Sequence, residues 1–321
     1  MKNVLVTGGA GYIGSHIIEI LIKKNFRVFI IDNLSTGHKK LINKKAKFFK
    51  VDLNEFNKIK NILKKYNINS VIHLAARTNV VEAEKKPKIY FRNNVGGTLS
   101  LLKACKYTDV KNFIFSSTCA VYSNKLRYVK ETSKTNPKGT YGLTKLKGER
   151  LIKKYFNSKN KNYAILRYFN VVGASPSNKI GQVNHDDQLF KNLSREVIKK
   201  NPVFNIYGYD YKTIDGTCIR DFIHVCDLAD IHIKTLSRIN NQSKSVILNC
   251  GYGRGISVLQ TVNEFKKFSS GKVKVNFKEK RKGDIIEMVS NTKKLKRFMK
   301  WKPRFFKLRK MVKSSIDWEK K

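Results

Sequence analysis

The chain has 321 residues, with 67 Lys and Arg against 23 Asp and Glu and a formal net charge of +44. Its 41% hydrophobic and 28% charged residues suit a globular protein with a real core and exclude a disordered or collagen-like chain. No stretch reaches the roughly 18 apolar residues that span a bilayer, and Met1-Lys2-Asn3 leads straight into an apolar strand with no secretory h-region, so no membrane partner and a cytoplasmic location are expected. In chain order, Val4-Leu5-Val6-Thr7 reads as a buried strand, followed at once by Gly8-Gly9-Ala10-Gly11-Tyr12-Ile13-Gly14. Glycines at 8, 11 and 14 allow a tight turn, close approach of backbone to a pyrophosphate and close helix packing. A second strand, Val28-Phe29-Ile30-Ile31, delivers Asp32, an acid placed to bond a ribose 2′-hydroxyl and to repel a 2′-phosphate. NAD is therefore the expected cofactor.

Further along, residues 47–51 read as a third strand ending at Asp52, and residues 70–75 as a fourth. Asp52 and Leu53 are expected beside the adenine, with Leu74, Ala75 and Ala76 presenting backbone to the cofactor. A helix over residues 94–105 leads to a fifth strand, Phe113-Ile114-Phe115-Ser116-Ser117-Thr118, whose hydroxyls sit at its C-terminal end, where parallel sheets bind ligands. A helix over 141–156 and a strand over 164–169 complete a first domain. From Asn170 the rhythm loosens into Asn-, Gly- and Asp-rich loops, which suggests a smaller capping domain. The expected fold is α/β: a Rossmann-like doubly wound parallel sheet with a smaller C-terminal α/β substrate-binding domain. Its boundaries are 1–169, completed by 217–250, for the NAD-binding domain and 170–321, interleaved, for the substrate domain.

The charge alone points to polyanions. The lysines, however, are scattered among Asn and Ile rather than gathered into an arm, which is a compositional drift and not a specific nucleic-acid site. Residues 293–301, the richest basic stretch, place apolar residues at helical spacing, so a packed amphipathic helix is expected there. Cys105, Cys119, Cys218, Cys226 and Cys250 form no Cys-x-x-Cys pair, and His224-x-Cys226 lacks companions, so neither a metal nor a disulfide framework is expected.

Tyr-x-x-x-Lys occurs at Tyr107/Lys111, Tyr141/Lys145 and Tyr155/Lys159. Only Tyr141 and Lys145 open a helix just after a strand ending in Ser116-Ser117-Thr118. On that helix they share a face about 6 Å apart along the axis. A free phenol has a pKa of about 10, and a fixed ammonium with a positive nicotinamide ring is expected to lower it toward general-base use. Thr118 would align the same substrate oxygen. Together the three can remove a hydroxyl proton while a carbon gives its hydride to NAD.

With these residues in place, the chain resembles the extended short-chain dehydrogenases, and within them the UDP-glucose 4-epimerases. The resemblance runs nearly full length through the glycine turn, Asp32-Asn33-Leu34, Asn93-Asn94-Val95, the Ser116-Ser117-Thr118 strand, Tyr141 to Lys145, Leu166-Arg167-Tyr168-Phe169-Asn170, Arg220-Asp221-Phe222-Ile223-His224-Val225, Leu248-Asn249-Cys250-Gly251 and Arg281-Lys282-Gly283-Asp284. It implies reversible C4 epimerisation of a UDP-hexose through a 4-keto intermediate, by an isomerase with bound NAD. Asn33, Asn93, Ser116 and Tyr168 would join the cofactor contacts. Asn170, Leu189, Tyr207, Arg220, Arg281, Asp284 and Met288 would hold the UDP-sugar, and a homodimer through the helices at 94–105 and 141–156 is expected. Relatives that eliminate water carry Asp-Glu after the threonine, whereas Cys119-Ala120 stands here, so elimination lacks its proton carriers. Met288, where related enzymes carry Tyr, implies tolerance of N-acetylhexosamines; Thr78, and Lys191 in the loop after His185-Asp186-Asp187, are further places for substrate differences. A 4-epimerase of an N-acetylhexosamine, pentose or uronate is the alternative, and a non-catalytic NAD-binding or nucleic-acid-binding regulator is the alternative of another class.

Overall fold

The computed structural model describes residues 2–124, 126–156, 161–184, 188–242, 244–281 and 283–321. Lys159, His185-Asp186-Asp187 and Lys282 lie outside the described residues. The chain divides into two units: Met1–Ser123, Lys134–Tyr168 and Ala229–Leu248 form the first, and Asn124–Ser133, Phe169–Leu228 and Asn249–Lys321 the second.

In chain order the elements begin β1 (Asn3–Thr7), α1 (Tyr12–Lys23), β2 (Arg27–Asp32), β3 (Lys47–Lys50), α2 (Phe56–Lys65), β4 (Ser70–His73), α3 (Val80–Lys85) and α4 (Pro87–Tyr90). A π-helical turn (Phe91–Gly96) runs into α5 (Gly97–Lys106), followed by β5 (Asn112–Thr118), β6 (Tyr128–Val129), α6 (Thr140–Tyr155) and β7 (Asn162–Tyr168). The second half holds β8 (Asn170–Val172), α7 (Leu189–Val197), β9 (Val203–Tyr207), β10 (Ile219–His224), α8 (Val225–Gln242) and β11 (Val246–Cys250). It ends with β12 (Gly255–Ser257), α9 (Val258–Lys266), β13 (Lys274–Lys278), β14 (Glu287–Ser290), α10 (Lys293–Met299) and α11 (Leu308–Glu319).

In the first unit a seven-stranded sheet has the order β11-β7-β5-β4-β1-β2-β3. The β1–β2, β1–β4, β2–β3, β4–β5 and β5–β7 pairs are all parallel. Such strands are covered on both faces, and so they read as continuous apolar runs: Val4, Leu5, Val6, Ile30, Ile31, Val71 and Ile72 are all fully buried. On α2, Ile59, Ile62 and Leu63 fall on one face and pack into the same core as Phe113, Leu101 and Leu102. Strand order reverses between β1 and β4. That switch point, at the C-terminal ends of the strands, is where such sheets open a ligand crevice, and Gly8 and the residues after His73 lie at it.

The second unit is better ordered than the loosened sequence pattern implies. Short strands form a sheet of order β12-β10-β14-β6, with β8 also on β10, and β13 pairs with β9. Phe190, Leu193 and Val197 of α7 pack with Phe204, Phe222, Phe265 and the α11 residues Met311, Val312 and Ile316. The expected amphipathic segment forms α10, burying Leu295 and Met299 and ending where Lys300 turns left-handed at φ 47°. Lys191 corrects the sequence reading. It lies within α7, not in a loop, and its ammonium is buried, 2.5 Å from Glu319 Oε1 and 2.8 Å from the Gln182 carbonyl, so two of its three donors are spent inside the protein. Glu319 is 128 positions away in sequence, which is why spacing could not reveal it.

Two buried histidines set an acid limit on this fold. Burial brings His16 down to about 4 and His73 down to about 3. Both are therefore neutral when folded, and the unfolded chain takes up protons first. Their contribution is fully present above the ordinary histidine value of about 6.5 and is lost as pH falls from there toward those folded values. The melting temperature should drop on acidification through this window. His16→Leu, which removes a ring whose Nε2 is buried without a hydrogen-bond partner among the described residues, should flatten that drop.

Candidate active site

The crevice at the sheet's switch point is shaped by backbone contacts that leave no room for side chains. Gly8 has φ +72°, and a Cβ there would lie 2.7 Å from the Ala75 nitrogen; a Cβ on Gly14 would lie 2.4 Å from the Gly8 carbonyl oxygen. Gly11 caps α1 without a side chain, so the first turn at Tyr12, Ile13 and Gly14 points its N–H groups at the crevice with no acid nearby. At the end of β2, Asp32 Oδ2 accepts from Ala10 N at 3.0 Å and Oδ1 from Leu34 N at 2.9 Å. Burial raises the Asp32 carboxyl, and these backbone bonds work against the rise. Asn33 Nδ2 donates to Asp52 Oδ2 at 2.7 Å. For Asp52 burial works upward, but bonds from Asn54 and Asn33 and the Arg92 charge outweigh it and hold the carboxyl low. Leu53 is buried in the core, and Leu74, Ala75 and Ala76 are half-buried in the loop after β4. A helix N-terminus behind a Cβ-free turn, with an acid at the second strand's tip, fits a dinucleotide.

Across the sheet, β5 and α6 carry the reactive groups. Gly139 gives α6 no side-chain cap, and a carboxylate from α3 replaces it: Glu84 Oε1 accepts from Thr140 N at 2.7 Å. Further along α6, Arg167 of β7 clasps Glu149 through Nε at 2.9 Å and Nη2 at 2.7 Å, and Ser117 donates to Glu149 Oε1 at 2.6 Å. All three are buried. Between these anchors Lys145 Nζ donates to the Ser116 carbonyl at 2.8 Å and lies 5.0 Å from the Phe115 ring centroid. Burial lowers Lys145 to about 7. Thr118 Oγ1 accepts from Ala120 N at 3.1 Å, and its hydroxyl hydrogen-bonds the Tyr141 phenol. Ser116, Thr118, Tyr141 and Lys145 are thus brought together as their sequence positions suggested. The direction of the phenol's shift differs from expectation. Burial pushes Tyr141 up, the Cys119 thiol adds to this, and the Thr118 hydrogen bond offsets only part of it. Tyr168, at the end of β7, is buried with its hydroxyl 2.5 Å from His232 Nε2. Asn93 donates to Asn94 Oδ1 at 3.0 Å in the π turn.

In the second unit, β10 runs from a half-buried start at Ile219 and Arg220 into four buried residues beginning with Asp221. Asp221 accepts from Tyr252 N, Gly253 N, Ser290 N and Ser290 Oγ, fixing β10 against β14. Arg220 then holds its guanidinium 4.0 Å from Asp284 Oδ1. The Arg281 guanidinium stacks 3.9 Å from the centroid of Tyr207, a ring 39% exposed at the end of β9. Asn170 donates to the Asp221 carbonyl at 3.2 Å, Leu189 opens α7, and Met288 is buried on β14 in register with Arg220. Two arginines, an acid and an aromatic face are the parts that grip a nucleoside diphosphate.

The family "NAD dependent epimerase/dehydratase" matches residues 4–251. The chain belongs to it. UDP-glucose 4-epimerase of Azospirillum brasilense is 35% identical over 319 residues, covering 99% of this chain and 92% of that protein. A crystal structure of UDP-glucose-4-epimerase from Stenotrophomonas maltophila with bound NAD and formylated UDP-arabinopyranose superposes with a TM-score of 0.95 at 33% identity, covering 100% of this chain and 98% of that one. The UDP-Glc/GlcNAc 4-epimerase from Campylobacter jejuni superposes with a TM-score of 0.86 at 35% identity, covering 100% and 99%.

Sequence reading of this epimerase-family chain missed the groups that hold the reactive ones. Glu149, Arg167, Glu84 and Asn94 act on neighbours 17 to 56 positions away, and only Arg167 and Asn94 fell inside a recognised motif. Lys145→Met should lower turnover by about 100-fold or more without weakening UDP binding, as single-turnover kinetics and calorimetry would read. Gly8→Ala, strained by its φ and blocked by Ala75, should abolish NAD retention while UDP binding persists.

Proposed function

We propose that the chain is an isomerase that interconverts UDP-galactose and UDP-glucose at C4, with NAD as a retained cofactor. The observation that carries this reading is the joint placement of Thr118, Tyr141 and Lys145 at the sheet end that bears the glycine turn. NAD, when bound, supplies a reversible hydride acceptor. Asp32 holds its adenosine ribose, and the first turn of α1 its pyrophosphate. With NAD bound, the Tyr141 phenolate is favoured by the positive nicotinamide ring and the Lys145 ammonium, and it is that phenolate which takes the proton from the sugar's 4-hydroxyl as the C4 hydrogen leaves as hydride, with Thr118 holding the same oxygen in line. Burial by itself disfavours both a lone phenolate at Tyr141 and a lone ammonium at Lys145. Arg220 and Arg281 hold the diphosphate, with Tyr207 and Asp284 at the nucleoside. The anchored UDP keeps the 4-keto sugar from leaving while it turns over, and return of the hydride to the other face of C4, with the Tyr141 proton going back to the 4-oxygen, gives the epimer. Cys119 and Ala120 offer no carboxylate to eliminate water from the keto sugar, which favours epimerisation over dehydration.

A second substrate class follows from Met288. An unbranched thioether on β14 yields more readily than a ring, and we extend the reading to UDP-N-acetylglucosamine. A homodimer through α5 and α6, and a place in cytoplasmic galactose use, complete the proposal. Val80, Val81 and Leu143, exposed apolar residues on α3 and α6, support the dimer.

Purified protein incubated with UDP-galactose and no added NAD should form UDP-glucose with no net NADH. No conversion even with NAD supplied would sink the reading. Met288→Tyr should cut turnover of UDP-N-acetylglucosamine by about tenfold or more while that of UDP-galactose changes little, in parallel coupled assays.

A further inference from the structure

His73 ends β4, has no contact with solvent to speak of, and has both ring nitrogens engaged. Nδ1 lies 2.7 Å from Thr7 Oγ1, and Nε2 lies 2.8 Å from Thr98 Oγ1. The proton directions follow from the hydroxyls, each of which has one hydrogen to give. Thr98 donates its hydrogen to the Asn94 carbonyl at 2.5 Å, so it accepts from His73 Nε2–H. His73 Nδ1 is then the acceptor, taking the Thr7 hydroxyl, whose oxygen in turn accepts from Ala75 N at 3.4 Å. One unbroken run of donors leads from Ala75 through Thr7, His73 and Thr98 to the backbone of Asn94.

The ends of that run are the walls of the cofactor crevice. Thr7 immediately precedes Gly8. Ala75 lies in the loop after β4, against which Gly8 packs. Asn94 sits in the π turn, and its side chain continues outward. Its Oδ1 accepts from Arg77 N at 2.9 Å, and its Nδ2 donates to Arg77 O at 3.0 Å and to Thr144 Oγ1 at 3.2 Å. Thr144 donates to the Tyr141 carbonyl at 2.8 Å. Aromatic rings line the imidazole, with Phe113 and Phe115 centroids at 5.9 and 5.6 Å, so no water-filled alternative replaces a lost partner.

We propose that His73 is a positioning residue for cofactor retention, a neutral imidazole tying the glycine turn, the loop at 74–77 and the π turn into one cradle for NAD. It touches neither cofactor nor substrate and acts through Thr7, Ala75 and Asn94. The inference rests on the NAD reading above.

The test is to measure NAD dissociation and UDP affinity in the full chain, together with the NAD content of the purified protein. His73→Leu fills similar volume among apolar neighbours and removes both bonds; it should release NAD roughly tenfold faster or more with UDP affinity within twofold. His73→Gln, which keeps a donor and an acceptor, should recover part of the retention. Thr98→Val, nearly isosteric, should shift release in the same direction and serves if His73→Leu fails to fold. Unchanged NAD release in both Leu and Val variants overturns the proposal. So does a parallel loss of UDP affinity, which marks a general loss of stability. A wild-type chain that binds no NAD at all overturns the nicotinamide reading itself, and this inference with it.

Discussion

A single buried carboxylate fixes the part of the molecule on which the chemistry depends. Glu149 is taken by Arg167 with two bonds and by Ser117 with a third, which joins α6 to β7 and β5 at once. Charges away from water are stable only when their partners are complete, so the helix cannot slide or rotate without stranding one of them. Lys145 lies one turn before Glu149 and is held by the Ser116 carbonyl, the residue before Ser117. The placement of Lys145 and Tyr141 on α6 therefore depends on the buried Glu149–Arg167 ion pair one turn further along the helix. Glu84 holds the other end of the helix at Thr140, so Tyr141 lies between two carboxylate anchors.

Electrostatics at the reactive groups runs against what the residue types suggest in isolation. A lysine near a tyrosine should favour phenolate, yet burial lowers the one and raises the other. A resting site of this kind holds its proton on the phenol and is spared the expense of two isolated buried charges. The second unit works differently. Arg220 is half-buried and Arg281 exposed, and the buried carboxylate beside Arg220 on β10, Asp221, spends its bonds on the backbone of Tyr252, Gly253 and Ser290.

Much of this was legible in the sequence, for physical reasons that differ by region. The parallel sheet was, because strands covered on both faces must be apolar throughout, as at Val4, Ile30 and Ile72. The glycine turn and Asp32 were, because few residue types tolerate φ +72° or the approach of Ala75. Tyr141 and Lys145 were, because helical spacing is local. The π turn at Phe91–Gly96 was not, since an added backbone residue per turn has no side-chain signature. Lys191 was misread as a loop residue, because its place in α7 and its buried pairing with Glu319 lie in no window of sequence. The second unit looked loop-rich because its strands are short, two to six residues long, and leave little periodicity to detect.

Only 23 acids stand against 67 basic residues, and the inward-facing ones are among the hardest-working atoms in the chain. Asp221 receives four donors, and Glu149 receives three. The compositional drift toward lysine can therefore proceed freely over most of the exterior, where Asp317 or Glu264 makes a solvent-facing pair, and must stop at these positions. A lysine at 221 would set an ammonium against four hydrogens with no acceptor left among them. The lower bound on the chain's acid content is thus set by internal hydrogen bonding at positions such as 149 and 221.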